Sequence, residues 1–151
     1  MRALYIICTY EHIYMEANLK AETLKILGDQ TRLRILYLLT VSKKSLCVCE
    51  MVDALKLPQY QVSKSLVLLR RAGLVDVDRN GTWGYYHPKL DDKDNEKLFD
   101  FVKDFCSGEP FDADLENLKK RLALRERGKC VVGFVSEDEL LRIMRKKGVS
   151  V

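Results

Sequence analysis

The side chains most able to do chemistry stand together in residues 46–51, Leu-Cys-Val-Cys-Glu-Met, which hold two of the chain's five cysteines. Thiolates are soft ligands that favour zinc, copper(I), cadmium, or trivalent arsenic and antimony over hard cations. In an ideal helix, residues two apart point about 200° away from each other. Cys47 and Cys49 could therefore share one ion only if the backbone there were non-helical or distorted. We expect binding to unwind or tilt the helix that starts here.

The other cysteines have different surroundings. A single cysteine is more often a small buried hydrophobe than a ligand, and the apolar neighbours of Cys8 and Cys106 favour that reading. Cys130 is the first candidate for a third ligand, from the same chain or from a partner subunit. A reversible disulfide is the main rival function. Because cysteines two residues apart in a helix make poor disulfide partners, such a switch would join one of them to a distant cysteine.

The elements that must position these thiols can be read from periodicity and turn residues. Thr31 can cap the second helix, an Asn-Gly pair marks the hairpin turn, and Ser136 with Glu139 forms a capping-box pattern for the last helix. The predicted helices are 17–28, from 31, 48–55, 58–72, 91–106, 113–127 and 136–147, with a hairpin over 74–88. This order predicts a mainly α fold with a small β-hairpin (α+β), a winged helix-turn-helix. We divide the chain into an N-terminal extension (1–16), this domain (17–106) and a helical C-terminal extension (107–151).

Charge and composition narrow the partners. The chain has 151 residues and a net charge of +4, and residues 56–89 alone carry +4. A local basic surface favours a polyanion. No apolar run approaches the ~20 residues of a membrane helix, and no signal peptide precedes the helices, although Met15 is an alternative start. We expect a cytoplasmic protein with reduced thiols and no membrane partner.

The helix over 58–72 can enter the major groove of double-stranded DNA with its first turns toward the base edges. The hairpin tip can reach an adjacent groove, and residues late in the helix can contact phosphates. The predicted DNA contacts are Gln59, Tyr60, Gln61, Ser63, Lys64, Arg70, Arg71, Arg79 and Asn80. A winged helix can also be a protein-docking module, and this alternative stays open.

Four blocks, 27–39, 46–51, 61–75 and 78–88, together resemble the ArsR/SmtB family of metal- and metalloid-responsive repressors. The resemblance implies a homodimer, joined through the first and post-wing helices, that binds inverted-repeat operators and leaves DNA when an inducer binds. The implied interface residues are Leu19, Leu98, Phe101, Val102 and Phe105. It implies neither an enzyme nor an organic cofactor, and no hydrolase triad, zinc-protease or phosphate-loop motif is present.

The Cys-Val-Cys-acidic pattern is similar to the arsenic- and antimony-sensing branch of that family. In that branch a third cysteine follows three residues after the second, where this chain has Val52. The resemblance therefore implies a repressor released by trivalent arsenic or antimony on Cys47 and Cys49. A regulator of another soft metal or of thiol redox state is the alternative. A zinc site on the post-wing helix is not expected, because residues 91–106 contain no histidine.

Overall fold

The computed structural model describes the backbone of residues 2–150 and the side chains of residues 13–150, so the expectation for Cys8 lies outside the described side chains. The helices are α1 (Arg2–Leu27), α2 (Gln30–Ser42), α3 (Val48–Leu55), α4 (Gln59–Arg71), α5 (Lys93–Phe105), α6 (Phe111–Leu122) and α7 (Glu137–Lys146). The strands are β1 (Val75–Asn80) and β2 (Trp83–Pro88). Within this described part, no helix is both long and apolar enough to cross a bilayer.

The winged helix-turn-helix predicted from the sequence is confirmed. Helices α3 and α4 form the helix-turn-helix pair, and the antiparallel hairpin β1–β2 follows as the wing. Asn80 pairs with Trp83, so the two turn residues are Gly81 and Thr82. Gly81 has a φ of +61°, a left-handed conformation that glycine adopts without a steric penalty.

The junction between α1 and α2 differs from the prediction in its cap. Asp29, not Thr31, is the N-cap of α2, and its carboxylate accepts the Arg32 N–H at 3.0 Å. An aspartate in extended backbone satisfies one of the helix's free N–H groups in this way. Thr31 is instead buried in the first turn. Helix α1 ends at Leu27, just before Gly28, as predicted.

Helix α5 packs one face into the chain's own core and leaves another face exposed. Phe99, Val102 and Cys106 lie in the core, whereas Phe101 and Phe105 are 55% and 67% exposed. Val102 was predicted at a subunit interface, and its burial within the chain's own core corrects that assignment. Leu98 is partly buried against the core. The outward pair Phe101 and Phe105 stack with ring centroids 5.0 Å apart.

Helix α6, predicted to lie in a C-terminal extension, packs on the same core as α2 and α3. Leu118 is fully buried in that core. Asp114 accepts two hydrogen bonds from Arg34 of α2, both at 2.7 Å, and its side chain is 4% exposed. Asn117 donates to the Ala54 carbonyl at 3.2 Å. Packing thus continues past residue 107, and the boundary drawn there stays a prediction.

We expect Asp114→Ala to lower the free energy of unfolding by about 3–5 kcal/mol, because it leaves the Arg34 guanidinium buried without a counter-charge. Urea unfolding monitored by circular dichroism measures this change. Lys25→Ala is the control, since it breaks an exposed pair with Glu22 and should change stability by less than ~0.5 kcal/mol. Equal stability of Asp114→Ala and the wild type would show that α6 does not unfold with the core.

Candidate thiol site and nucleic-acid interface

Cys47 and Cys49 lie at the start of α3 with their sulfur atoms 3.2 Å apart. Cys47 is the N-cap residue and has extended backbone (φ −88°, ψ 161°), whereas Cys49 is inside the first helical turn. The non-helical conformation required for convergence is therefore present in the folded chain. Because the helix begins one residue after Cys47, an ion could bind both thiols without unwinding it, and the tilt expected on binding stays a prediction.

Cys130 completes a cluster of three thiols from the same chain. Its sulfur is 3.5 Å from that of Cys49, and the three ligand atoms lie within 4.8 Å of one another. Ligands on a tetrahedral ion with 2.3 Å metal–sulfur bonds are about 3.8 Å apart, so the spacing suits a soft ion. All three residues are at most 4% exposed. Within the described side chains, no fourth histidine, cysteine or carboxylate joins the group.

The segment between α6 and α7 carries Cys130 to this position. A tight reversal pairs Glu126 with Lys129, and Arg127 and Gly128 within it have positive φ. The Val132 carbonyl then accepts hydrogen bonds from the thiols of Cys130 (3.2 Å) and Cys49 (3.7 Å). The backbone of this segment thus folds over the thiols and shields them.

Arg121 brings a positive charge to the cluster. Its side chain is 1% exposed, its Nε donates to the Asp53 carboxylate at 2.6 Å, and Nη2 contacts Val132 O. The same Nη2 lies 4.0 Å from the Cys130 sulfur. Nη1 is buried with no hydrogen-bond partner among the described residues. A buried donor without an acceptor is costly, so this environment suits more negative charge than three neutral thiols supply.

The three thiols differ in acidity because they share protons. Hydrogen bonds from Cys47 and Cys49, assisted by the charge of Arg121, lower the pKa of Cys130. The hydrogen bonds to Cys130 and to Cys49, and then burial, raise the pKa of Cys47. The pKa of Cys49 is also raised, first by its hydrogen bond to Cys130. Cys130 is therefore the thiol of the cluster that ionises most readily.

A second buried ion pair lies beside the cluster. Arg125 Nε and Nη2 donate to the two oxygens of Glu50, each at 2.7 Å, and Glu50 is fully buried. Glu50 also accepts the Cys47 N–H at 3.0 Å. The roles of Arg121 and Arg125 were not predicted from the sequence. The only signal for them is the basic run that precedes Cys130.

Aromatic side chains of the wing and tail wall the cluster. Trp83 and Tyr85 pack against the three cysteines. A cavity of about 280 Å³ opens beside Cys47 and Cys49, and Trp83, Tyr86 and the half-exposed Phe134 contribute to its lining. This cavity gives a small solute a route toward the buried thiols.

The predicted DNA contacts occupy two kinds of position. Seven lie exposed on the outer face of α4 or on the wing: Gln59, Tyr60, Lys64, Arg70, Arg71, Arg79 and Asn80. Gln61 and Ser63 are partly buried, and Gln61 Nε2 donates to Thr31 Oγ1 at 2.8 Å. That bond fixes α4 against α2. Tyr60, in the first turn, is 74% exposed.

The remaining cysteine with a described side chain, Cys106, does not join the cluster. Cys106 is a C-cap residue in the main core, and burial raises its pKa. Val52, which stands where the resembled branch has a third cysteine, packs against that core. A ligand at that position would have to leave the core to reach Cys47.

The helix-turn-helix pair, the wing and the exposed basic residues together define a helix-turn-helix transcriptional regulator. Residues 29–77 match the model described as "Bacterial regulatory protein, arsR family". An uncharacterized HTH-type transcriptional regulator of Methanocaldococcus jannaschii is 45% identical over 82 residues, which cover 53% of this chain and 90% of that protein. The chain belongs to the arsR family of regulatory proteins.

Two further relatives carry names that mention arsenic. The arsenic resistance transcriptional regulator ArsR1 of Pseudomonas putida is 44% identical over 68 residues, covering 44% of this chain and 52% of ArsR1. The arsenical resistance operon repressor of Escherichia coli is 41% identical over 72 residues, covering 48% of this chain and 61% of the repressor. The chain thus spans between half and two thirds of these two proteins.

A solved structure supports the fold alone. Reduced HlyU from Vibrio cholerae superimposes with a TM-score of 0.55 at 23% identity, covering 64% of this chain and 99% of HlyU. This likeness agrees with the winged-helix architecture.

We expect the native protein at neutral pH to show far-ultraviolet thiolate absorbance, because the pKa of Cys130 is lowered in the folded chain. The absorbance should disappear on unfolding, since a free cysteine has a pKa of about 8.5. A titration followed by absorbance, with and without denaturant, measures it. Cys130→Ser should reduce the signal by removing the thiol nearest Arg121, and Cys106→Ser should leave it unchanged. A wild-type signal no larger than that of Cys130→Ser would contradict the lowered pKa of Cys130.

Proposed function

We propose that this chain is a metalloid-responsive repressor, which binds duplex operator DNA as a homodimer and is released when trivalent arsenic or antimony binds Cys47, Cys49 and Cys130. The observation that carries the proposal is the convergence of three buried thiols from two distant segments at the start of the helix-turn-helix. The names of the arsenic-regulating relatives support the choice of ligand.

The donor set favours a three-coordinate soft ion. Structural zinc sites take four ligands in tetrahedral geometry, whereas the described residues supply three sulfurs and no fourth ligand. Thiolates exclude hard cations such as magnesium and calcium. Arg121 offsets part of the charge that accumulates when the thiols lose their protons, and its free Nη1 adds a donor on that side chain.

The operator surface is the exposed, polar and basic side of α4 with the wing. Tyr60, Gln59 and Lys64 occupy its first turns, from which base edges are reached. Arg70 and Arg71 lie at its C-terminal end and suit phosphates. Such contacts make the affinity for any duplex fall steeply with salt, which a protein-docking module would not show.

Release follows from the position of the thiols between the two DNA-reading elements. Cys47 and Cys49 begin α3, which packs against α4, while the thiol of Cys130 belongs to a segment touching the wing. An ion bound by all three thiols would fix the sulfurs, of which two pairs are now 3.2 Å and 3.5 Å apart, at the spacings that its own coordination geometry requires. The resulting shift reorients α4 relative to the wing and lowers operator affinity.

A thiol-redox regulator is the second candidate, and the short sulfur–sulfur distances favour it. An oxidant such as peroxide would take two electrons from Cys49 and Cys130, forming a disulfide as peroxide is reduced to water. Cys49 and Cys130 are separated by 81 residues, so the poor geometry of neighbouring cysteines does not apply. Peroxide is therefore included as an arm of the functional test.

The proposed dimer uses the exposed apolar faces of α1 and α5. Leu19 on α1 is 68% exposed. The stacked Phe101 and Phe105 on α5 are 55% and 67% exposed. An ion pair between Lys20 of α1 and Asp94 in the first turn of α5, at 3.1 Å, connects the two helices. Clustered exposed apolar side chains indicate an interaction surface.

The decisive experiment is an electrophoretic mobility shift on the DNA upstream of the protein's own gene, with arsenite, zinc, cadmium and peroxide titrated in turn. Arsenite should release the wild type. The double variant Cys47→Ser/Cys49→Ser should still bind DNA but need more than about 100-fold more arsenite, since even outer-shell partners of a ligand change affinity 10- to 100-fold.

One control variant and one further test variant accompany this experiment. Cys106→Ser removes a core cysteine outside the cluster and should respond as the wild type does. Cys130→Ser should lose most of its arsenite sensitivity. Arsenite release by the double variant would refute the ligand assignment, release by peroxide alone would favour the redox regulator, and failure of the wild type to shift any duplex would refute the operator proposal.

We expect Phe105→Glu to shift the protein from dimer to monomer, because it places a charge in the apolar face of α5. Analytical ultracentrifugation across a concentration series measures the change in dissociation constant. Leu90→Glu is the matched control, since Leu90 is 59% exposed but lies before α5. Equal dissociation constants for the two variants would place the interface elsewhere.

A further inference from the structure

Arg125 contacts every segment that meets at the thiol site. Besides its two bonds to Glu50, its Nη2 donates to the Ser45 carbonyl at 2.7 Å, ahead of α3, and its Nη1 donates to the Gly128 carbonyl at 3.3 Å, just before Cys130. One guanidinium therefore joins the segment bearing Cys47 to the segment bearing Cys130. Its planar fork matches a carboxylate in a way that a lysine ammonium cannot.

Tyr85 of the wing completes this connection. Its ring lies under the Arg125 guanidinium, 5.7 Å from ring centroid to Cζ. Its hydroxyl oxygen accepts the backbone N–H of Cys130 at 3.0 Å. The residue that carries the third thiol is thus tied to strand β2 through its own backbone.

We propose that Tyr85 and Arg125 are positioning residues for the thiol site, which hold Cys130 beside Cys49 and join it to the wing. This inference rests on the proposed function. Cys130 lies outside any helix or strand, between α6 and α7, and a ligand on such a segment needs fixed contacts to stay in binding geometry. Partners that orient a ligand in this way contribute to metal affinity without touching the metal.

The connection divides the site into two parts with different outputs. Cys47 and Cys49 belong to α3, whereas Cys130 moves together with Tyr85 and therefore with β2. A ligand that binds all three thiols depends on the position of the wing, whereas a ligand that binds only Cys47 and Cys49 depends on α3 alone. The two parts can be separated with probes that differ in the number of thiols they need.

The test compares arsenite, which takes three thiolates, with phenylarsine oxide, whose arsenic already carries one carbon and takes two, releasing its oxygen as water. Trp83, the only tryptophan, packs against the cluster, so its fluorescence reports binding of both probes without DNA. Tyr85→Phe should weaken arsenite binding about 2- to 10-fold, the effect of one hydrogen bond. It should leave the affinity for phenylarsine oxide unchanged.

Tyr37→Phe is the control, because Tyr37 packs in the main core against Phe111 and lines neither the thiol cluster nor the cavity beside it. It should bind both probes as the wild type does. Arg125→Lys, which keeps the charge beside Glu50 but loses the fork, should repeat the pattern of Tyr85→Phe. Operator affinity without arsenite should stay at the wild-type value for Tyr85→Phe.

Equal weakening of both probes in Tyr85→Phe and Arg125→Lys would show general damage and overturn the inference, as would wild-type affinity for arsenite in both variants. Either result, with arsenite binding intact in the wild type, leaves the proposed function standing. Absence of arsenite binding by the wild type would instead refute the proposed function itself.

Discussion

The structure depends on two acidic residues of α3, the fully buried Glu50 and the partly buried Asp53, because each needs a cation that the rest of the helix-turn-helix does not supply. Glu50 is fully buried and pairs with Arg125, and Asp53 pairs with the buried Arg121. A buried carboxylate without a partner costs several kcal/mol. The end of α6 and the turn after it must therefore dock against α3 for that helix to pack as it does. The same docking places Cys130 against Cys49, so the thiol site follows from the ion pairs.

Ion pairs and thiols have separate tasks at this site. The arginines hold the segments together whether or not the thiols are ionised, since their main partners are carboxylates. The thiols are then free to exchange protons for a soft ion. Burial raises the pKa of Asp53 while Arg121 lowers it, so that carboxylate depends on the guanidinium for its charge. Arg121 links the two tasks, because it also helps to lower the pKa of Cys130.

The fold could be predicted from the sequence because its elements carry local signals. Apolar periodicity marked the helices, and Gly81 with its neighbours marked the hairpin. The site could be predicted only in part. Cys130 was a candidate on chemical grounds, but its arginine neighbours pair with carboxylates 68 and 75 residues away, and nothing in periodicity records which residues meet across such distances. Helix α3 begins at Val48 as predicted, and because Cys47 is its cap and not a helical residue, the thiols converge without unwinding.

The replacement of a third helical cysteine by Val52 has a physical consequence beyond the loss of one ligand. A site built on one helix senses the geometry of that helix alone. Here Val52 contributes to the core, and the third sulfur comes from a segment in contact with the wing. An ion bound at such a site constrains the relative positions of α3, the segment that bears Cys130 and the wing, which meet only in the folded chain. Two elements would read DNA: α4, which packs against α3, and the hairpin, which contains Tyr85. A single coordination event would then change the positions of both.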